Sequence, residues 1–214
     1  MGAGMCGRFS LLSPQEAIEK KFKVSLAGFD YQPRLNIAPH QSILVVTLDQ
    51  NKESIIKGMY WGFIPVWAKD FKSAHKPINA RAETIQKTPY FRHAFKHGRC
   101  LIPATAFFEW EKTTKPKTPY RFHRPGDLLF AFAGLWSSWQ DAEGNMLDTC
   151  AIITTHANET ISWLHDRMPV ILPEENWQSW FDGDLTTFKP LPKESLEFEK
   201  VSPVINNPRY EINR

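Results

Sequence analysis

The chain has no apolar run approaching the ~18 residues of a membrane-spanning helix. It has no Cys/His cluster at zinc-ligand spacing, and no metal or cofactor is implied. Cysteine is scarce: Cys6, Cys100 and Cys150 are odd in number and far apart. That argues against a disulfide framework and for a reducing cytosol. No signal-peptide pattern precedes Cys6. Charge of one sign is also scarce. With 26 Lys and Arg against 23 Asp and Glu, the net charge of +3 does not by itself argue for a nucleic-acid partner. No internal repeat, low-complexity linker or regular βαβ alternation is present, which argues against a doubly wound parallel sheet.

What is present is an ordinary globular composition, 42% hydrophobic and 23% charged over 214 residues, long enough for a sizeable core. Near its start stands Met5-Cys6-Gly7-Arg8-Phe9. If Met5 is the initiator, its removal leaves Cys6 first, with a thiol and a free α-amine on adjacent carbons. These titrate near ~8.5 and ~8, so both are partly nucleophilic at neutral pH. Together they can close a five-membered thiazolidine on an aldehyde. Met1 to Gly4 read as a vector-derived leader that turns the amine into an amide. The alternative for Cys6 is a small buried hydrophobe.

Strands dominate. Ile43–Leu48 and Ile55–Trp61 read as a strand pair, followed by a loop over 62–77. Cys100–Ile102, Ala106–Glu111, Met146–Thr155 and Leu196–Val201 read as strands, with Pro169–Leu172 extended. Tyr120–His123 and Leu128–Trp136 are expected to form a hairpin around Pro125-Gly126. Ser13-Pro14-Gln15-Glu16 has capping-box spacing, with Pro14 at the first helical position of a helix to about Phe22. Further helices are expected over 88–96, 158–164 and 173–181. The fold expected is α+β, one domain with a curled, mainly antiparallel sheet or barrel-like core and short flanking helices. It would span 5–207, followed by a tail at 208–214.

Several polar groups stand in apolar or otherwise notable contexts. Glu109 interrupts an aromatic strand; a buried carboxyl there has a raised pKa and can exchange protons near neutrality, whereas a solvent-facing one would be inert. His165, beside Asp166 and Arg167, is a proton shuttle or a helix cap. Asn79 and Arg81 hold a phosphodiester or sugar, or else fix an irregular loop. Eight cations lie between Lys69 and Arg99 against Asp70 and Glu83 only, preceded by Trp61 and Trp67. That interleaving suits single-stranded nucleic acid; the alternatives are a solvated face and core tryptophans.

As an ordered set these segments resemble one family. Met5-Cys6-Gly7-Arg8-Phe9, Asn36-Ile37-Ala38-Pro39, Trp61 to Trp67, Ile78 to Thr84, Arg99 to Ala104, Phe107-Phe108-Glu109-Trp110 and His165-Asp166-Arg167-Met168-Pro169 look like the SRAP (SOS-response-associated peptidase, or abasic-site processing) family. The resemblance implies a sensor of abasic sites in single-stranded DNA; a bacterial-type cytosol is expected, and nothing in the sequence argues against a monomer. It would crosslink to the ring-opened sugar as a thiazolidine. By that resemblance Cys6 is the nucleophile, Asn79 holds the sugar and the amine, and Glu109 assists ring opening and proton transfer. His165 serves the Schiff-base step and an adjacent phosphate. Arg8 and Arg81 contact phosphates, Trp67 with the loop from Trp61 stacks at the lesion, and Asn36 and Pro39 join the DNA surface. Slow strand cleavage and removal of a leader would use the same group.

Two other readings remain. A cysteine peptidase or amidohydrolase would use Cys6 on a carbonyl with His165 and Glu109, without needing a free amine. A non-catalytic single-strand binding module would survive loss of Cys6.

Overall fold

The computed structural model describes residues 6–184 and 188–210. The leader, Met5 and residues 211–214 of the tail lie outside the described residues. In chain order the strands are β1 (Phe9–Leu11), β2 (Arg34–Ile37), β3 (Ser42–Leu48), β4 (Ser54–Trp61), β5 (Asn79–Arg81), β6 (Arg99–Ala104), β7 (Ala106–Glu111), β8 (Thr118–His123), β9 (Phe130–Gln140), β10 (Met146–His156), β11 (Arg167–Pro169), β12 (Ile171–Leu172) and β13 (Glu197–Lys200). The α-helices are α1 (Gln15–Phe22), α2 (Arg92–His97) and α3 (Trp177–Asp182).

Five strands close a ring in the order β10, β4, β3, β6, β9 and back to β10. The barrel is mixed, because β4 and β5 both run parallel to β10. The other sheet, β13-β8-β7-β1-β2, is antiparallel throughout. The expected mainly antiparallel, barrel-like core is therefore present, and the helices are few and short.

An aromatic seam joins the two layers. Phe9 of β1 packs edge-on to Trp61 at 5.3 Å and to Phe132 at 5.8 Å, and Phe107 of β7 meets Phe132 at 6.2 Å. All four rings are buried. Each such side chain contributes about 1.5–3 kcal/mol by leaving water. Most of β9 is buried because both of its faces are covered, which explains its lack of alternation. Gly134 permits the close approach inside: a Cβ there would lie 2.9 Å from the Cys100 sulfur and 2.8 Å from Ile102 Cδ1.

Four local expectations differ from the structure. Strands β8 and β9 do not pair: β8 is flanked by β7 and β13, whereas β9 belongs to the barrel. The Pro125-Gly126 turn instead carries the chain between sheets, held by Lys21 and Arg124 on Asp127. Pro14 is the N-cap of α1, not its first residue, and no side-chain cap bond forms. Its extended backbone (ψ 159°) offers its carbonyl to Ala17 and Ile18, leaving Ser13 outside the helix. Helix α2 starts at Arg92, after turns. Residues 158–164 form successive turns, with Asn158 anchored on the Leu191 carbonyl.

Candidate active site

The β1–β7 register brings the site together. Phe9 faces Phe107, and Phe108 N–H donates to the Arg8 carbonyl at 2.9 Å. Extending that register toward the N-terminus sets Gly7 opposite Glu109, with Cys6 the next residue out. There Cys6 N–H donates to Glu109 Oε1 at 2.8 Å. The Cys6 thiol feels the same carboxyl, whose charge helps to raise its pKa. One acid thus holds the cysteine nitrogen and acts electrostatically on its sulfur. Cys6 and Glu109 are 3% and 6% exposed.

That burial sets the chemistry. It pushes the Glu109 carboxyl up to about 7, against the opposing pull of the Cys6 N–H and Lys112, while Asp166 adds to the rise. Burial, and then the charge of Glu109, pushes the thiol well above its ordinary value; Arg167 opposes this. Cys6 also has φ 47°, in the left-handed region that a non-glycine residue rarely adopts.

His165 enters from the loop between β10 and β11. It is held below its ordinary pKa, first by burial and then by Lys112 and Arg167, with Asp166 opposing. Its Nδ1 accepts Arg167 N–H at 3.1 Å, and Asp166 Oδ1 lies 3.0 Å from the same atom. One nitrogen cannot accept from the amide and donate to Asp166 together. The lowered pKa and the solvated Asp166 carboxylate favour the neutral ring with its proton on Nε2.

Glu109, His165 and Arg8 line one cleft of about 310 Å³ with Trp110, Lys112, Lys117 and Asn206. Arg8 donates twice from Nη1, to Asn36 Oδ1 at 2.7 Å and to the Ile205 carbonyl at 3.0 Å. Its guanidinium lies 5.3 Å from the Trp110 ring centre. Burial lowers its pKa, Nε has no hydrogen bond, and among the described residues no carboxylate pairs with it. A partly desolvated cation lacking a counter-charge favours an anion in the cleft.

The remaining expected residues lie apart from this lining. Asn79 and Arg81 sit on β5 against β10, Asn79 half-buried and Arg81 exposed. Pro39 is half-buried, and Trp67 is 59% exposed, edge-on to Tyr90. Two differ from the DNA-contact expectation. Trp61 is wholly buried in the aromatic seam, with Nε1 donating to the Ile78 carbonyl, and has no face to offer a base. Asn36 is also wholly buried and serves Arg8 and the Ile205 and Asn207 carbonyls.

Sequence reasoning assigned no role to Arg167, Trp110, Lys112, Lys117 or Asn206. Arg167 is buried, forks onto both Glu83 oxygens at 2.7 and 2.8 Å, and bonds the Thr154 carbonyl. The available signals were the Arg within an apolar Met-Pro-Val context and the Trp next to Glu109. Among the described residues no cluster of three or more His, Cys, Asp or Glu could hold a metal, and no helix is long and apolar enough to cross a membrane.

A mixed barrel backed by an antiparallel sheet, with a cysteine and a carboxyl meeting at their junction, defines the class. The family model for SOS response associated peptidase (SRAP) matches residues 5–208, and the chain belongs to that family. It is 42% identical to YoqW of Bacillus subtilis (strain 168), named an abasic site processing protein, over 96% of both chains. It is 31% identical to HMCES of Xenopus tropicalis, named likewise, over 84% of this chain and 64% of that protein. A Bacteroides thetaiotaomicron crystal structure shares the fold, with TM-score 0.82 at 24% identity over 92% of this chain and 93% of that one. A phage-related protein from Bordetella bronchiseptica matches with TM-score 0.68 at 28% identity, over 92% and 94% of the two chains.

Proposed function

We propose that this protein processes abasic sites in single-stranded DNA by forming a covalent thiazolidine through Cys6. One observation carries the reading: the buried Glu109 carboxyl holds the Cys6 N–H at 2.8 Å, and the charge of the same carboxyl acts on the Cys6 thiol. A peptidase nucleophile needs only the sulfur, whereas ring closure on an aldehyde needs both atoms.

Once the residues before Cys6 are gone, the amine loses a proton to Glu109 and attacks the aldehyde carbon of the opened sugar. The carbinolamine expels water with the proton that Glu109 took from the amine, giving an imine. The thiol then adds: sulfur bonds to carbon, the C=N π pair goes to nitrogen, and the thiol proton ends on that nitrogen. The balance is aldehyde plus cysteine to thiazolidine plus water. A carboxyl titrating near 7 serves in both directions. Arg8, Lys112 and Lys117 give the cleft the charge to hold backbone phosphates, and Asn79, Arg81 and Trp67 are assigned to the sugar, a phosphate and a base near the lesion. The same imine allows slow β-elimination of the strand.

The peptidase reading is less well supported. Burial and Glu109 keep the thiol protonated, and neither effect activates a thiolate for acyl attack. The test is denaturing electrophoresis and intact mass of protein beginning at Cys6, mixed with an oligonucleotide bearing one abasic site. An adduct lost in Cys6→Ala supports the proposal; no adduct from folded protein refutes it.

A further inference from the structure

The segment after β13 supplies a wall of the cleft. It forms a short 3₁₀ turn, Pro203–Asn206, anchored by the buried Ile205. Asn206 uses both ends of its amide: Oδ1 accepts Trp110 Nε1–H at 2.6 Å, and Nδ2 donates to the Lys117 carbonyl at 3.1 Å. The indole it holds lies against Arg8, whose Nη1 is bonded to the carbonyl of the preceding residue, Ile205. Adjacent residues of one turn therefore hold the ring and the cation stacked on it. Among the described residues Nη1 alone is engaged, which leaves the Nη2 edge of Arg8 to a ligand.

We propose that Asn206 is a positioning residue: it fixes the Trp110 indole beneath Arg8 and so orients Arg8 toward a phosphate of the bound strand. This rests on the reading of the cleft as the abasic-strand site. An arginine has many rotamers, and a ring locked beneath it removes most of them before the ligand arrives. Loss of the Asn206 amide leaves Trp110 Nε1–H without its partner and frees the ring to turn.

The test is a double-mutant cycle in the full chain beginning at Cys6, with Asn206→Ala, Trp110→Phe and the double variant. Crosslinking rate is measured against concentration of an oligonucleotide bearing one abasic site. Each single substitution is expected to raise the half-saturating concentration about five- to tenfold, with the limiting rate little changed. The double variant should match Trp110→Phe alone. Multiplying effects, or an unaffected Asn206→Ala, would overturn the proposal. A second readout needs no DNA: the indole N–H resonance lost in Trp110→Phe should move in Asn206→Ala, while the other seven tryptophan resonances stay in place. If that resonance is unmoved, the proposal fails. If it moves but the parent protein forms no crosslink, the functional reading fails and the positioning contact stands.

Discussion

The Cys6 nitrogen and the Glu109 carboxyl meet at 2.8 Å although 103 positions separate them in the chain. The β1–β7 pairing delivers that contact, so the fold and the chemistry are one feature. It places a proton acceptor on the atom that must be freed of a proton, in a site from which water is largely excluded.

Glu109 makes the fold pH-sensitive. Its folded pKa of about 7 exceeds the ordinary carboxyl value, so the folded state holds its proton more tightly between about pH 4.5 and 7. This contribution is fully present below the unfolded pKa and is lost as pH rises through 7. In the leader-bearing chain, Glu109→Gln keeps an acceptor for Cys6 N–H and removes the charge. It should be more stable than the parent at pH 8 by about 2–3 kcal/mol and equal to it near pH 4. Urea denaturation at both pH values checks this; equal stabilities at pH 8 would contradict it.

Arg167 is the buried cation of the site, 3% exposed and paired with Glu83. Arg167→Ala removes the forked partner of Glu83 and one of the two donors to the Thr154 carbonyl, which keeps Ala82 N–H, and should cost about 1–3 kcal/mol. Thermal and urea unfolding measure it, and a loss below 1 kcal/mol would show that the pair is not structural.

Trp67 should behave oppositely. It is exposed and touches Tyr90, so Trp67→Ala should alter stability by no more than about 0.5 kcal/mol. If it stacks at the lesion, the same change weakens single-strand binding by about 1–3 kcal/mol. Fluorescence anisotropy at fixed salt reads this directly.

Asn36→Ala should impair both fold and cleft. It strips Arg8 Nη1 of one acceptor and leaves the Ile205 and Asn207 carbonyls without the Asn36 donor, at a cost of about 1–3 kcal/mol. Crosslinking should fall with it, because the turn that holds Arg8 is loosened. Stability and crosslinking rate measured on one preparation should drop together.

Local pattern made much of this legible. Ala106–Glu111 was readable as a strand from its aromatic run, and the structure gives the same bounds. Glu109 stood out because it interrupts that run, but its burial was not readable, since a solvent-facing carboxyl fits the same pattern. Partnership between distant strands was not readable: β8 and β9 look like a hairpin from the turn between them, and only the filled edges of each strand forbid it. Trp61 and Trp67 look equivalent beside a basic stretch, but one is packed against Phe9 and the other faces solvent. Asn206 carried no signal of its own, since its role exists only because Trp110 of β7 and Lys117, just before β8, come to it from far away in the chain.

The most direct measurement compares two forms of the protein, one beginning at Cys6 and one keeping the residues before it. Each is incubated with a single-stranded oligonucleotide bearing one abasic site and then read by intact mass under denaturing conditions. The account predicts an adduct of protein plus oligonucleotide less one water for the form beginning at Cys6, and none for the other unless its leader is cut. An equally stable adduct on intact leader-bearing protein would contradict the requirement for the free amine, and with it the thiazolidine.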